Sequence, residues 1–232
     1  MKKLHGKKYA EVTKLVDPDK EYPLEEAIDL LIKTSIAKFD ASCEMHFNLA
    51  VDPKFSDQMV RSMVSLPHGI GKEVRVIAFV AEDKAKAALA AGAVKAGLDD
   101  LMEEVTKGFL DFDVAVATPD VMKNLGKIAK VLGPKGLMPN IKSGTVTEDV
   151  PKTIEEMKKG KIEFKTDKQG IVHSIFGKVS FGKEKLLENA NALLKAVLEA
   201  KPSGVKGTYI KSIFLTTTMG PSVKITLPKR TA

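Results

Sequence analysis

The chain has 232 residues, 44% of them hydrophobic, which suffices for one large domain or two small ones. Its single cysteine, Cys43, excludes an internal disulfide framework and a cysteine-based zinc site, and points to a reducing compartment. Net charge is +7, yet residues 1–67 (10 Lys and Arg against 11 Asp and Glu) and 68–159 (14 against 14) are balanced, while residues 160–232 carry 13 against 5. The basic surface that could face a nucleic acid therefore lies in the last third, a solvated Lys-rich face being the plainer alternative.

Residues 1–20 read as a charged lead-in, basic at Met1 to Lys8 but without the apolar stretch of a secretory signal. No apolar run approaches the roughly 20 residues that span a bilayer, so a soluble, cytoplasmic protein with no membrane partner is expected. Pro23 opens a helix with Glu25 and Glu26 in its first turn and Leu24, Ala27, Ile28, Leu31 and Ile32 on one face. Lys38-Phe39-Asp40 leads into a strand with Met45, Phe47, Leu49 and Val51 inward. Its other face, Glu44, His46 and Asn48, is a mixed polar surface unusual for a strand exposed only for solubility. Residues 59–66 read as another strand, broken by Pro67-His68-Gly69. One helix and two strands cannot bury a core, so this segment needs partners from elsewhere in the chain.

The middle looks self-sufficient. Residues 74–80 form a continuous apolar strand, followed by a helix over 83–91, a short strand over 93–96, a helix over 99–107 and a strand over 112–117. Helices over 121–131 and 149–158 complete an alternation that implies a parallel, layered α/β sheet. Between those two helices lies the Gly/Pro-punctuated loop 133–144, carrying Lys135 and Lys142 and long enough to be functional or mobile. Lys158-Lys159-Gly160-Lys161 reads as a return hinge. Beyond it, strands over 162–166 and 171–176 form a hairpin on Asp167-Lys168-Gln169-Gly170. A strong amphipathic helix then buries Leu186, Leu187, Ala190, Leu193, Leu194, Val197 and Leu198 and stops at Lys201-Pro202. A last hairpin joins residues 208–215 to the alternating Val223, Ile225 and Leu227. Its tip, Thr216-Thr217-Thr218-Met219-Gly220-Pro221, offers three hydroxyls, a pliable methionine and a glycine. Such a surface suits folded RNA, although an ordinary polar hairpin is the commoner reading of those residues alone. Residues 1–67 and 160–232 thus make a split α+β domain into which an α/β domain, 68–159, is inserted and hinged.

Enzyme-like signals are few. Gly177-Lys178-Val179-Ser180-Phe181-Gly182-Lys183-Glu184 has phosphate-loop spacing, but Glu184 replaces the hydroxyl residue that would hold magnesium, and a nucleotide site is rejected. His5, His46, His68 and His173 lack metal-ligand spacing, and Cys43 reads as a small core residue. No catalytic residue, metal or cofactor is expected.

Several stretches together carry a resemblance. Gly133-Pro134-Lys135-Gly136-Leu137-Met138-Pro139-Asn140, followed by Lys142-Ser143-Gly144-Thr145-Val146-Thr147, resembles the signature of the L-one family, the first protein of the large ribosomal subunit, in its bacterial form. Leu66-Pro67-His68-Gly69, Gly177-Lys178-Val179-Ser180-Phe181, Lys201-Pro202-Ser203-Gly204-Val205-Lys206-Gly207 and Thr218-Met219-Gly220-Pro221 match the same family, in order over nearly the whole chain. Ile141 departs from the family's usual Pro, and Ser174-Ile175-Phe176 from its common Ala-Pro-Ile. The resemblance implies a split domain that binds the stalk of large-subunit ribosomal RNA, with an inserted Rossmann-like three-layer α/β domain hinged upon it. It implies an RNA-facing set of Phe39, Glu44, Asp167, Lys168, Ser212, Thr216, Thr218, Met219 and Gly220, to which His46, His173, Lys178 and Ser180 are added. In such a set Thr218 and Ser212 could bond 2′-hydroxyls and base edges, Met219 and Phe39 could pack on nucleotide faces, and lysines could hold phosphates. The resemblance further implies help in releasing deacylated transfer RNA from the exit site, with Lys135 and Lys142 as candidate contacts. It also implies repression of the protein's own operon messenger through a stalk-like fold, and a monomer when free. The rival readings are a nucleotide-dependent enzyme built on the Gly177–Lys183 turn and a general basic RNA chaperone.

Overall fold

The computed structural model describes residues 6–55, 57–141, 143–205 and 207–227. In chain order the elements begin with α1 (Lys7–Val12), α2 (Leu24–Lys33), β1 (Ser42–Leu49) and β2 (Arg61–Ser65). Then come β3 (Val76–Phe79), α3 (Glu82–Ala90), β4 (Lys95–Gly97), α4 (Asp99–Thr106), β5 (Val114–Ala117), α5 (Met122–Leu125), α6 (Ala129–Leu132) and α7 (Val150–Lys158). The chain closes with β6 (Lys161–Lys165), β7 (Ile171–Lys178), α8 (Gly182–Glu199), β8 (Ile210–Thr217) and β9 (Val223–Ile225). The fold is thus mixed α and β, and the chain divides into two compact units, Met1–Gly71 with Phe164–Ala232, and Lys72–Glu163. No helix among the described residues is long and apolar enough to cross a membrane.

In the split unit, a four-stranded antiparallel sheet runs in the order β7-β1-β8-β9. Strict alternation along β1 buries Cys43, Met45, Phe47 and Leu49, the period-2 consequence of the pleat. These side chains meet Val172 and Phe176 of β7, Ile213 and Leu215 of β8, and the helices. α2 and α8 pack on each other, α2 against β8 and β9, and α8 against β7. α2 follows Pro23 with Glu25 and Glu26 in its first turn, and buries Ala27, Ile28 and Leu31. α8 buries Leu186, Ala190, Leu193 and Val197, the centre line of its apolar stripe. Leu187 and Leu194 are only half-buried and Leu198 is exposed, so the predicted stripe is wider than the buried one. The same helix buries a polar residue that periodicity passed over. Asn189 accepts from His68 N (3.0 Å) and donates through Nδ2 to Gly69 O (2.9 Å) and Phe176 O (2.8 Å). One buried and two part-buried backbone groups are satisfied by this side chain.

The other unit has a parallel three-stranded sheet in the order β4-β3-β5. β3 is buried along its whole length, as the continuous apolar run Val76–Phe79 requires. Ile77 and Phe79 join a cluster with Leu101, Met102 and Val105 of α4 and with Val121, Leu125, Ile128 and Leu132. α7 packs on β3 and β5 and against α3. The helix predicted over 121–131 is broken into α5 and α6 around a 3₁₀ turn at Gly126–Ile128. Gly126 sits mid-segment, where glycine is a poor helix former, yet the buried residues keep their 3–4 spacing. Loop 133–144 turns back on itself: Asn140 O accepts from Ser143 Oγ at 3.1 Å, and Thr145 Oγ1 accepts from Asn140 N at 2.8 Å.

Two further expectations change. The charged lead-in contains α1, which buries nothing. The strands on either side of residues 167–170 are not a paired hairpin: β6 pairs with β2 and β7 with β1, leaving only a Thr166–Val172 bridge between them. Turn chemistry correctly marked the reversal but could not say which sheet each arm enters. Asp167 Oδ1 accepts from Gln169 N and Ile171 N, both at 2.8 Å, the local side-chain bond that makes Asp a turn former.

Asn189→Ala takes this partner from the buried Phe176 carbonyl and from two part-buried backbone groups, and is expected to destabilise the split unit by about 2 kcal/mol. Urea unfolding monitored by circular dichroism checks this, and a loss below about 1 kcal/mol would refute the role given to that side chain.

Candidate nucleic-acid interface

With α2 and α8 on one face of the four-stranded sheet, the register fixes what the other face presents. Glu44 is flanked by Ile175 of β7 and Thr216 of β8, His46 by His173 and Phe214, and Asn48 by Ile171 and Ser212, with Lys224 of β9 opposite Phe214. All ten are half-buried or exposed, whereas the residues between them along each strand are buried. The middle row is tightly joined. His46 Nδ1 lies 2.9 Å from His173 Nδ1, with the rings edge to face at a centroid separation of 5.0 Å. Outward from this pair, His46 Nε2 is 3.8 Å from Glu44 Oε2, and His173 Nε2 is 3.5 Å from Asp167 Oδ2. Burial, and then the neighbouring His173 ring, hold His46 below the ordinary imidazole range against the opposing pull of Glu44. Burial pushes Asp167 upward, but the amides of Ile171 and Gln169 and the His173 ring outweigh it and leave its carboxyl lowered.

One end of the face depends on a bulge. Glu44 pairs with Ile175 but Cys43 pairs with Gly177, so Phe176 is the extra residue on β7. Phe176 and Gly177 both point into the core, and the next residue, Lys178, comes out opposite Ser42. Without the bulge Lys178 would share the inward side of Ser174 and Phe176. Gly177 is needed there because an added Cβ would lie 2.7 Å from Leu186 Cδ2. Beside it, Asp40 accepts from Ser180 N at 3.0 Å and from Ser180 Oγ at 2.8 Å, and Lys178 Nζ reaches Asp40 O at 3.4 Å. The Ser180 hydroxyl bond holds the Asp40 carboxyl below its usual range. These contacts also engage the turn that resembles a phosphate loop: its Ser180 amide serves Asp40, and Lys183 is paired with Asp29.

The final tip adjoins the same end. Thr218 N donates to Ser42 O at 3.1 Å, and Thr218 Oγ1 accepts from Ser42 N at 3.1 Å. Thr217 is buried, its hydroxyl without a hydrogen-bond partner among the described residues. Thr216 Oγ1 donates weakly to Gly220 O at 3.3 Å. The three hydroxyls read as an offered set are therefore largely turned inward or shared. What projects is Met219, 71% exposed and held at φ +67°. A non-glycine residue there is strained, and such strain concentrates at functional sites. Phe39, 59% exposed, precedes β1 at the same end.

The structure thus brings Phe39, Lys178, Ser180, Thr216, Thr218, Met219 and Gly220 to one end of the face, and Glu44, His46 and His173 to its middle. Asp167, Lys168 and Ser212 lie toward the other end, Ser212 about 20 Å from Thr218 at the usual rise per strand residue. Lys135 is exposed on the other unit, and Lys142 lies outside the described residues. Asn48, read from the sequence only as part of a polar strand face, belongs to the face, as do Phe214 and Lys224, which the sequence did not single out. Ser212 and Thr216 were already chosen, so the two-residue period alone pointed to Phe214 between them. Cys43 is buried, its thiol pushed by desolvation up to about 12. Among the described residues, no three His, Cys, Asp or Glu side chains are grouped to hold a metal. A polar and aromatic face of this extent, rimmed by lysines, suits a folded polyanion better than a small ligand.

Residues 31–221 match the family model described as the Ribosomal protein L1p/L10e family. The chain is 54% identical over 222 residues to the large ribosomal subunit protein uL1 of Thermosipho melanesiensis, covering 95% of this chain and 96% of that protein. It is 54% identical over 221 residues to uL1 of Solidesulfovibrio magneticus (95% and 94% covered), and 53% identical over 222 residues to uL1 of Thermosipho africanus (95% and 96% covered).

Two substitutions test the tip. Met219→Gly removes the left-handed strain and is expected to raise stability by up to about 1 kcal/mol in thermal unfolding; a loss would refute the strain. Gly220→Ala places a Cβ 2.2 Å from Thr217 Oγ1, so it is expected to lower the melting temperature, and adding Thr217→Ala to restore it. Failure of the second change to rescue the first would mean that the clash is not what requires glycine.

Proposed function

The chain belongs to the Ribosomal protein L1p/L10e family, and on that premise we propose that it is a structural protein of the large ribosomal subunit. It binds ribosomal RNA through the free face of the β7-β1-β8-β9 sheet and the Thr218-Met219-Gly220 tip. It is not an enzyme. The observation that carries the reading is the joining of an exposed, left-handed Met219 to a row of polar and aromatic side chains on the sheet face opposite α2 and α8, half-buried or exposed among the described residues. Residues with no catalytic chemistry hold a strained geometry at the rim of that face, which makes sense as docking against a preformed shape.

In finer detail, residues 1–67 and 160–232 act as a split α+β RNA-binding domain, and 68–159 as an inserted Rossmann-like α/β domain. The RNA is the stalk of the large subunit. Phe39 and Met219 pack on nucleotide faces, Lys168 and Lys178 neutralise phosphates, and Glu44 accepts from hydroxyl or amino groups. Lys135 and Lys142 meet transfer RNA at the exit site and assist its release once deacylated. A messenger fold imitating the stalk takes the same face, so the protein represses its own translation. The excess of basic residues in the last third supports the phosphate-binding part of this reading.

Binding of a stalk stem-loop RNA and a scrambled control by the full chain, across a range of salt, tests the proposal. Phe39→Ala is expected to cost about 1–3 kcal/mol of affinity through lost stacking. Met219→Lys is expected to weaken stalk binding by roughly tenfold despite its added charge, and Lys178→Ala to reduce the salt slope by about one. Equal binding of both RNAs, with Met219→Lys binding tighter, would reduce the face to a generic basic surface and overturn the reading.

A further inference from the structure

The middle row of the free face contains a proton problem with one good solution. Two imidazole Nδ1 atoms 2.9 Å apart can share a hydrogen bond only if one carries a proton and the other a lone pair. Each ring turns its Nε2 toward a carboxylate, His46 toward Glu44 and His173 toward Asp167. Asp167 Oδ1 is already taken by two amides, which leaves Oδ2 for the ring. The arrangement is best matched when the pair holds one excess proton, which supplies the Nδ1 bond and sets an N–H toward each carboxylate. His173 is then the cation, donating through Nδ1 to His46, with its Nε2–H facing Asp167 Oδ2 at 3.5 Å. His46 is neutral, with its own Nε2–H toward Glu44. The side-chain exposures, 53% for His173 and 23% for His46, put the charge on the better-solvated ring, in keeping with the depressed basicity of His46. A second proton would set two Nδ1–H groups against each other and drive the rings apart.

The surroundings leave this pair the main titrating element of the face. On β1 its neighbours are Glu44 and Asn48. On β7, an edge strand, they are Ile171 and Ile175, with Lys178 at the far end drawn to Asp40. β8 contributes Phe214, and beyond it Lys224 of β9 is paired with Glu21 at 2.7 Å. Asp167 and Lys168 lie in the turn before β7. Without the excess proton the four-residue row carries two carboxylate charges, and with it only one remains net.

We infer that His46 and His173 form a single proton-binding unit that couples RNA docking on this face to pH: docking takes up a proton, and loss of that proton weakens it. This rests on the reading that RNA docks on the β7-β1-β8-β9 face. Phosphates brought to the row favour its protonated form, so affinity is lost as pH rises through the pair's titration. A one-unit rise of that titration on docking corresponds to at most about tenfold weaker binding on its high-pH side than on its low-pH side.

Two measurements on the full chain, in chelator-containing buffer, test it. Imidazole nitrogen NMR of the free protein is expected to show two separated protonation steps for the His46–His173 pair, collapsing to a single step in His173→Gln. Two rings titrating independently at a common midpoint would overturn the shared proton. Affinity for a stalk stem-loop RNA between pH 5.5 and 8, at fixed salt, is expected to fall in the wild type and to flatten in His46→Gln/His173→Gln. His68→Gln, remote from the face, should keep the wild-type profile. An unchanged profile in the double variant overturns the coupling, even while Phe39→Ala and Met219→Lys still weaken binding. If those two substitutions change nothing, the docking face itself is wrong, and the coupling falls with it.

Discussion

The split unit depends on β1 being hydrogen-bonded along both edges. Its partners, β7 and β8, come from residues 171–178 and 210–217, so neither can form until the chain has returned from the other unit. Closing so long an excursion looks expensive, but loop-closure entropy rises only by about 0.6 kcal/mol for each doubling of length. A folded insert also presents its ends already placed. What repays the closure is the alternation of β1, whose four buried side chains lie in the core between the two flanking strands, on which α2 and α8 pack. Remove that alternation and residues 24–49 have nothing to cover them.

The same alternation creates the free face. A shift of one residue in either pairing would exchange Met45 and Phe47 for Glu44 and His46, burying charge and exposing the core. Register is therefore held firmly by the inward side, and the outward side inherits its precision without contributing much to stability. His46 meets His173 for this reason: Phe47 is opposite Val172 and Met45 opposite Ser174, and the histidines follow. The bulge at Phe176 and Gly177 works similarly. The extra residue Phe176 turns Lys178 outward to the rim, and glycine at 177 keeps clear of Leu186.

Local features of this arrangement were legible in the sequence. The period of β1, the Pro23 helix start, the Asp167 turn and the reversal at Gly220-Pro221 each depend on chemistry within a few residues. Partnership was not. Nothing near His46 announces His173, which is 127 residues away. Nothing near Thr218 says that its hydroxyl will be spent on Ser42 rather than offered to a ligand. Asn189 hides within an apolar stripe because its three partners, at positions 68, 69 and 176, come from other elements. Gly177 belongs to a phosphate-loop spacing already set aside in the sequence on Glu184, and in the structure an added Cβ there would lie 2.7 Å from Leu186.

These internal commitments bear on how the tip can discriminate. Of its three threonines, one faces the core, one is bonded to the β1 backbone, and one leans on the Gly220 carbonyl. Little hydroxyl capacity is left for reading base edges. The tip instead presents a fixed apolar projection, Met219, next to a glycine that cannot be enlarged without meeting Thr217. Such a device measures fit: it rewards a partner whose sugar-phosphate surface already has the complementary hollow, and penalises one that must be remodelled to provide it. Selectivity for a folded RNA over an unstructured one then follows from rigidity on the protein side. The strain held at Met219 is the structural expression of that rigidity.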